Sequence, residues 1–261
     1  MLKTKLKMKQ KVLAFIFVSL FLVIAMIVSW QVPSYSIEFN PPDRGAPGRL
    51  VGAGTRFSEP METTRSSSGR RQANITPNGE TLPSPLVAIV PSSSFGNYGL
   101  TLEAYPSFYV HMPSVPGARL EFVLLDELGD RIYDTSYLVA DRDATFSIDL
   151  PRNANFPPLE VGQIYTWQIR LKLNPSSIVT DYLVQGQIER FEPEPVLAEA
   201  LATATPEEKV KLYADTGLWY DALHTLAQLR RENPNDPLLE NEWAQLLRSV
   251  GLDEIADKPL L

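Results

Sequence analysis

The sequence predicts a mainly β protein with added α structure, in which an antiparallel immunoglobulin-like β-sandwich precedes a C-terminal tetratricopeptide-like helical module. Three observations predict this fold class. Apolar and polar residues alternate with a period of two across residues 85–192. From about residue 193 the apolar period becomes 3.6, as in helices. A shift of 34 residues aligns this second region on itself, and 34 residues is the tetratricopeptide period.

These patterns divide the 261 residues into four segments. We predict a signal peptide or N-terminal membrane anchor at 1–34 and a disordered linker at 35–84. The β-sandwich then spans 85–192, and the helical module spans 193–261.

Composition excludes several classes of function. The chain has no Cys and only two His, which removes disulfides, thiolate metal sites, thiol nucleophiles and three-histidine metal sites. Five of its 24 Lys and Arg residues lie before residue 12, so 19 remain against 31 Asp and Glu, a net charge of −12. A body this acidic disfavours nucleic acid. We therefore expect no nucleic-acid partner, no metal and no cofactor.

The N-terminus has the pattern of an export segment. Five Lys alternate between Lys3 and Lys11, and an apolar run follows at 12–28, interrupted by Ser19. Two interpretations remain open: a signal cleaved after Ser29 or Ser34, or an uncleaved anchor at 12–29. Either places the body on the periplasmic or cell-envelope side, because flanking lysines stay in the cytoplasm. Membrane contact is expected only through this segment, if it is not cleaved.

The segment that follows shows no periodicity. It is rich in Gly, Pro, Ser, Thr and Arg and has few large apolar residues, a composition typical of disorder. Within it, PPDRGAPGRLVGAGTR at 41–56 resembles a phosphate-binding loop only in its glycines. Because no Gly-Lys-Ser/Thr follows, we do not predict a nucleotide site.

Several short stretches predict half-buried strands. The clearest apolar face consists of Tyr165, Trp167, Ile169, Leu171 and Leu173. Similar alternation occurs near residues 120–124, 146–150 and 184–188, with Gly, Pro, Asn and Asp turn signals between the stretches. Seven or eight strands at this spacing are typical of a sandwich, with Trp167 in its core.

Two acidic groups in the β region are candidates for chemistry. DELGD at 126–130 and DRD at 141–143 are interpreted first as polar turns. Oxygen ligation of Ca²⁺ and a carboxylate pair for glycoside hydrolysis are the alternatives, although no EF-hand loop is present. His111 is interpreted as structural and His224 as a surface residue without a partner one helical turn away.

Aromatic residues in the predicted strands leave a further alternative open. Such rings usually pack in the core or as cross-strand pairs, but on one exposed face they would stack on sugars. The residues concerned are Tyr105, Phe108, Tyr109, Tyr133 and Tyr137.

The C-terminal region carries clear helix signals. Thr205 and Glu208 predict a capping box with Pro206 in the first turn. A second helix is expected from about residue 218 to 232 and a third over 238–250. The 34-residue shift places Gly217 on Gly251.

One helix pair cannot bury its own apolar face, so we expect it to pack on the sandwich or on a partner, with a plain helical cap as the alternative.

We predict a protein-contact surface on this module at Trp219, Tyr220 and Trp243. Residues 191–261 contain 14 acidic and 6 basic side chains, a net charge of −8. Such a surface suits a basic partner, and electrostatic attraction would mainly raise the association rate.

Several motifs resemble one known family. PPDRGAPGRLVGAGTR, LTLEAYPSFYVHMP, LEFVLLDELGD, PLEVGQIYTWQIRL and the segment beginning LYADTGLWYDAL are similar to the cyanobacterial exported family catalogued as domain of unknown function 928. The resemblance covers about residues 40–261. It implies a bacterial envelope setting and names no activity, ligand or catalytic residue.

The sequence thus predicts a non-enzymatic, envelope-associated binding or adaptor protein that contacts an unknown protein partner through its C-terminal helices. The first alternative is a sandwich that binds glycan or cell wall. A carboxylate-dependent hydrolase is the second.

Overall fold

Strands occupy the first part of the described chain and helices the last. The computed structural model describes residues 37–42, 72–75, 81–93, 96–152, 156–174, 176 and 181–261. In these residues the strands are β1 Gln72–Ile75, β2 Thr81–Ala88, β3 Ser92–Ser93, β4 Gly96–Thr101, β5 Ser107–Met112, β6 Arg119–Leu125, β7 Arg131–Leu138, β8 Ala144–Asp149, β9 Ile164–Lys172 and β10 Tyr182–Arg190. The helices are α1 Pro195–Thr203, α2 Pro206–Asp215, α3 Trp219–Glu232 and α4 Pro237–Ser249, followed by a 3₁₀ turn at Asp253–Ile255.

The strands form two sheets. The four-stranded sheet has the order β1-β2-β5-β8 and the six-stranded sheet the order β3-β4-β10-β9-β6-β7. Neighbouring strands are antiparallel except β4 and β10, which run parallel. Arg190 at the end of β10 pairs with Thr101 at the end of β4, so the two strands end side by side, shortly before the first helix begins at Pro195.

The alternating pattern of the sequence is confirmed in the central strands. In β9 every second residue is buried, and β10 alternates in the same way. Trp167 is fully buried and lies opposite Leu124 of β6 on one side and Gly186 of β10 on the other. Its indole is therefore in the core, as the sequence predicted.

The immunoglobulin-like sandwich predicted for residues 85–192 is wrong. Immunoglobulin-type domains pair two antiparallel sheets of seven or nine strands in all. Here the sheets have four and six strands, and the larger one contains the parallel β4–β10 pair. A period of two reports which side of each strand is buried, but it carries no information about which strands become neighbours.

The helices share the core of the sheets and do not form a separate module. Trp219 and Tyr220, in the first turn of α3, are buried in the same apolar cluster as Phe108 and Trp167. The Trp219 indole N–H donates to the Ile89 carbonyl at 3.1 Å. Residues Ile37–Leu261 accordingly belong to one compact unit.

The tetratricopeptide-like module is a second correction to the predicted fold. The capping box is present, since Thr205 accepts from the Glu208 amide and Glu208 accepts from the Thr205 amide. Gly217 and Gly251 both have a positive φ, of 77° and 71°. However, the helix that should follow Gly251 is only the three-residue 3₁₀ turn. The structure therefore indicates a second repeat only weakly.

A short N-terminal stretch packs along the helices. Ile37 and Phe39 are buried, and the Phe39 ring meets the Trp219 ring edge-on at 5.0 Å. The Asn40 amide donates to the Ala214 carbonyl at 3.0 Å. The prediction of a disordered linker at 35–84 did not anticipate these contacts. Much of that segment, residues 43–71 and 76–80, lies outside the described residues.

The predicted export segment or anchor at 1–34, including the span 12–29, also lies outside the described residues. Among the helices that the structure does describe, none has the length and apolar character needed to span a membrane.

Candidate functional site

A cleft opens where α2 and α3 meet the ends of strands β4, β5 and β8. Its volume is about 370 Å³, within the range of about 300–1,000 Å³ typical of ligand sites. Tyrosines and charged side chains dominate its walls. The lining residues are Thr101, Glu103, Tyr105, Pro106, Ser107, Asp149, Leu150, Arg152, Tyr213, Tyr220, Asp221, His224 and Thr225.

Asp221 is the most buried charged group of the cleft, with 5% of its surface exposed. It lies in the first turn of α3, where a carboxylate is favoured by the helix dipole. Its two oxygens accept from the Leu102 amide at 3.2 and 3.1 Å, and the Thr101 hydroxyl also donates to it. Burial nevertheless outweighs these hydrogen bonds and raises the pKa of Asp221 to about 7.

His224 lies one turn further along α3. Its Nδ1 is 3.2 Å from the hydroxyl of Tyr109 on β5. Burial lowers the pKa of His224, so the ring is neutral near pH 7. Burial also raises the pKa of Tyr109 to about 12, so its hydroxyl stays protonated. His224 is thus half-buried with a partner on another element, so its interpretation as a surface residue was wrong.

The mouth of the cleft already holds a guanidinium group. Arg152 donates to Glu103 at 3.1 Å, and its Cζ lies 6.0 Å from the centroid of the Tyr105 ring. Both charged side chains are solvent-accessible, at 71% and 53% exposure. A carboxylate beside an aromatic face is a recurring arrangement for binding cations.

Tyr213 on α2 reports the electrostatic character of the cleft. Burial is the main cause that raises its pKa to about 12, and the charges of Asp221 and Glu103 raise it further. The neighbourhood of this hydroxyl therefore has an excess of negative charge.

The three residues of the predicted contact surface lie in the core. Trp219, Tyr220 and Trp243 have 0, 1 and 0% of their surface exposed. Tyr220 lines the inner wall of the cleft, where its hydroxyl accepts from the Trp167 indole and donates to the Gln187 carbonyl. The Trp243 ring lies under the Arg230 guanidinium, 5.4 Å from its Cζ.

A second polar cluster surrounds Asp143. This carboxylate accepts from Ser84 and from Lys258, both at 2.6 Å, and lies 3.0 Å from Nε2 of the buried His111. Burial lowers the pKa of His111, and neither of its ring nitrogens has hydrogen-bond geometry to any described residue. Ser84 contacts the carboxylate and not the imidazole, which is not the order of a nucleophilic triad. The cluster instead holds the C-terminal tail, whose Pro259 carbonyl accepts from Thr145.

The two acidic groups of the β region lie far apart. Asp126 accepts from the amides of Leu128 and Asp130 and so closes the β6–β7 turn. Residues 141–143 follow the other end of β7. Eight strand residues at about 3.3 Å each place the groups about 26 Å apart, whereas paired glycosidase carboxylates lie within about 10 Å. Within the described chain, no group of three or more Asp, Glu and His side chains has metal-binding geometry.

The aromatic residues considered for sugar stacking do not share an exposed face. Phe108 and Tyr109 are buried in β5, and Tyr105 and Tyr133 are half-buried. Only Tyr137 is clearly exposed, at 43%. The Tyr133 ring packs on Phe122 and Phe156.

Sequence reasoning missed Asp221, Glu103 and Arg152 as neighbours in one site. Glu103 and Arg152 come from different loops, so no local pattern joins them. Asp221 had one usable signal, since it lies within the GLWYDAL stretch on which the family resemblance partly rests.

The fold and the cleft define a mostly β protein whose helices complete a polar, tyrosine-lined site. The chain belongs to the family described as Domain of Unknown Function (DUF928), which matches residues 65–260. A comparison with curated proteins finds no match.

Solved structures offer a weak likeness. The chain is similar to two structures of Parabacteroides merdae β-glucuronidase, one of them with glycerol in its active site. Identity is 7 and 8%, TM-scores are 0.28 and 0.26, and 67% of this chain is covered in both. The match spans only 27 and 28% of those enzymes. Because TM-scores this low do not establish a common fold, the likeness carries no functional argument.

Proposed function

We propose that this protein is a non-enzymatic binding or adaptor protein of a cyanobacterial cell envelope, which contacts a protein partner through its C-terminal helices. The cleft between these helices and the strand ends is the observation that supports this most. Its two groups best suited to acid–base chemistry, Asp221 and His224, are both engaged by hydrogen-bonding groups of the protein itself. That arrangement suits recognition better than proton transfer.

The partner-binding surface of this proposal is the rim of the cleft. Tyr213 and Thr225 are half-buried there, while Glu103 and Arg152 extend into solvent. Of the three residues first predicted for the surface, Tyr220 supports the rim from behind, and Trp219 and Trp243 hold α3 and α4 in place. The net charge of −8 over residues 191–261 favours a basic partner.

The envelope location is part of the proposal. The lysines before residue 12 and the apolar run at 12–28 support export. A cleaved signal and an anchor at 12–29 place the folded unit on the same, non-cytoplasmic side. The resemblance to exported cyanobacterial proteins points in the same direction.

Site-specific photocrosslinking in the source bacterium tests this function. A photoreactive residue replaces Thr225 at the cleft, and a matched control replaces Leu128, which is 80% exposed in the β6–β7 turn. We expect one discrete protein adduct from position 225 and none from position 128. The identified protein, once purified, should bind the full chain saturably in calorimetry.

Besides the absence of a protein adduct from position 225, two results would overturn the adaptor proposal. Adducts of equal pattern and yield at both positions would show that the cleft does not select a partner. A carbohydrate adduct without any protein would instead support the glycan- or cell-wall-binding alternative.

A further inference from the structure

We infer that the cleft receives a cationic side chain of the partner, a lysine or an arginine, whose charged head lies against Asp221. This inference rests on the proposed function and names the chemistry that the same site recognises. It depends on four observations: the charge of the lining, the surroundings of Asp221, the guanidinium at the mouth, and the tyrosine walls.

The lining carries more negative than positive charge. Glu103, Asp149 and Asp221 supply three carboxyl groups, and Arg152 is the one arginine among the lining residues. His224 contributes no charge near pH 7, because burial lowers its pKa. Among the lining residues, an incoming cation would therefore reduce an excess of negative charge.

Asp221 is the group that gains most from a cation. Its hydrogen bonds come from neutral donors, the Leu102 amide and the Thr101 hydroxyl. The charged neighbour that acts on it, Glu103, is itself an anion. A buried carboxylate without an opposite charge is costly, and pairing it with a cation recovers part of that cost.

Arg152 shows that the mouth accommodates a guanidinium group. It lies between the Glu103 carboxylate and the Tyr105 ring, yet most of its own surface is in solvent. Such an exposed ion pair contributes little to stability, so the side chain exchanges easily for another cation. A lysine or arginine from a partner would pass this point and reach Asp221 inside the cleft, whose lining also includes Tyr213 and Tyr220.

The inference predicts how the affinity for a cation changes with pH. A cation binds the ionised form of Asp221, whose pKa is about 7 in the free protein. Affinity should therefore fall as pH decreases from 8 to 6. The other titratable or charged groups of the cleft lining are Glu103, Tyr105, Asp149, Arg152, Tyr213, Tyr220 and His224. Arg231 lies outside the lining but its charge acts on His224. Protonation of His224 at the acidic end would weaken cation binding in the same direction.

Capped tripeptides provide the test with defined probes. The full chain is titrated with acetyl-Gly-Arg-Gly-amide and with its citrulline analogue, which has nearly the same shape and no charge. The amide resonance of Leu102 is followed by NMR, because this N–H donates to Asp221. We expect the arginine peptide to bind at least tenfold more tightly than the citrulline peptide at pH 8.

Variants separate charge recognition from folding. Asp221→Asn keeps an oxygen that can accept from Leu102, and it should remove the preference for arginine. Glu103→Gln, at the exposed mouth, should weaken arginine binding about threefold without affecting folding. Asp126→Asn in the β6–β7 turn is the matched control and should bind like the wild type. Equal affinity for the two peptides, or an unchanged preference in both cleft variants, would overturn the inference.

The two proposals fail separately. If the protein identified by crosslinking at Thr225 binds Asp221→Asn as tightly as the wild type, the proposed contact with a cationic side chain is contradicted. The adaptor function is then still supported. If the arginine peptide binds as expected but position 225 yields no protein adduct, the adaptor function falls. The cleft would then be a site for a free cationic ligand.

Discussion

The indole N–H of Trp167 on β9 donates to the hydroxyl of Tyr220 on α3 at 2.6 Å, in the buried centre of the protein. The same hydroxyl donates to the Gln187 carbonyl of β10 at 3.0 Å. One phenol group thus satisfies two buried polar groups of the six-stranded sheet. Because Tyr220 also lines the cleft, this bond connects the packing of the sheet directly to the site.

Tyr220→Phe removes this hydroxyl and leaves the Trp167 indole and the Gln187 carbonyl without their partner. An unpaired buried polar group costs about 1–3 kcal/mol, so we expect the free energy of unfolding to fall by about that amount. Urea denaturation measures it. Tyr137→Phe, on an exposed ring of β7, is the control and should change stability by less than about 0.5 kcal/mol. Equal effects of the two substitutions would contradict this role for Tyr220.

A second prediction concerns the approach of β10 to the Trp167 ring. A Cβ on Gly186 would lie 2.8 Å from Cζ2 and 2.9 Å from Cε2 of that indole. The ring is fully buried and cannot move aside without disturbing Tyr220. Gly186→Ala should therefore destabilise the protein by about 1–3 kcal/mol.

The matched control for this change is Gln187→Ala, at the next position of β10, where the side chain is half-buried on the other face. Thermal unfolding of both variants is the measurement. A Gly186→Ala protein as stable as the control would mean that the sheet accommodates the methyl group. The close approach to the Trp167 indole would then not reduce stability.

Local signals explain what the sequence predicted correctly. The alternation in β9 and β10 and the Thr205–Glu208 capping box depend only on neighbours within a few residues, and both are present. The partners of the site are distant in sequence: Leu102 and Asp221 are 119 residues apart, and Tyr109 and His224 are 115 apart. No periodicity records such pairs.

The burial of Trp219 and Tyr220 shows the same limit. On α3 alone these rings form an apolar face that must be buried against another surface, and a partner protein was one candidate for that surface. That surface is the chain's own sheet, since Trp219 reaches Ile89 and Tyr220 reaches Gln187. Strand order decides this, and the parallel β4–β10 pair was not encoded in any local pattern.

The third prediction follows from the raised pKa of Asp221. Its pKa is about 7 in the folded protein, against about 3.9 in an unfolded chain. Between these values the folded state binds more protons than the unfolded state, so this group's contribution to stability is complete below about pH 4 and is lost as pH rises through 7. About three pKa units correspond to about 4 kcal/mol at most.

Asp221→Asn removes the titratable group and therefore serves as the reference for the wild type. The free energy of unfolding of the wild type minus that of Asp221→Asn should decrease steadily from pH 4.5 to 7.5 in urea denaturation. Other titratable groups affect both proteins alike and cancel in the difference. A difference that is constant with pH would show that Asp221 does not titrate in this window.

The last prediction concerns Asp143, whose pH dependence should have the opposite sign. Burial opposes its ionisation, but the hydrogen bonds from Lys258 and Ser84, with the charges of His111 and Lys258, outweigh it and lower the pKa of Asp143. The contribution of this carboxylate is thus present above the unfolded pKa of about 3.9 and is lost as pH falls through the lower folded value. Asp143→Asn should destabilise the protein at pH 7 and have progressively less effect below pH 4.

Hydrogen exchange at Thr145 and Leu261 checks whether the loss is local, because these residues pair the C-terminal tail with β8 through hydrogen bonds of 2.8 and 2.9 Å. In Asp143→Asn their amides should exchange faster at pH 7, while the Leu102 amide in the cleft keeps its protection. Lys258→Gln should reproduce the effect, since it removes the hydrogen bond to Asp143 from the other side. Unchanged protection at Thr145 in both variants would mean that the Asp143 contacts do not hold the tail.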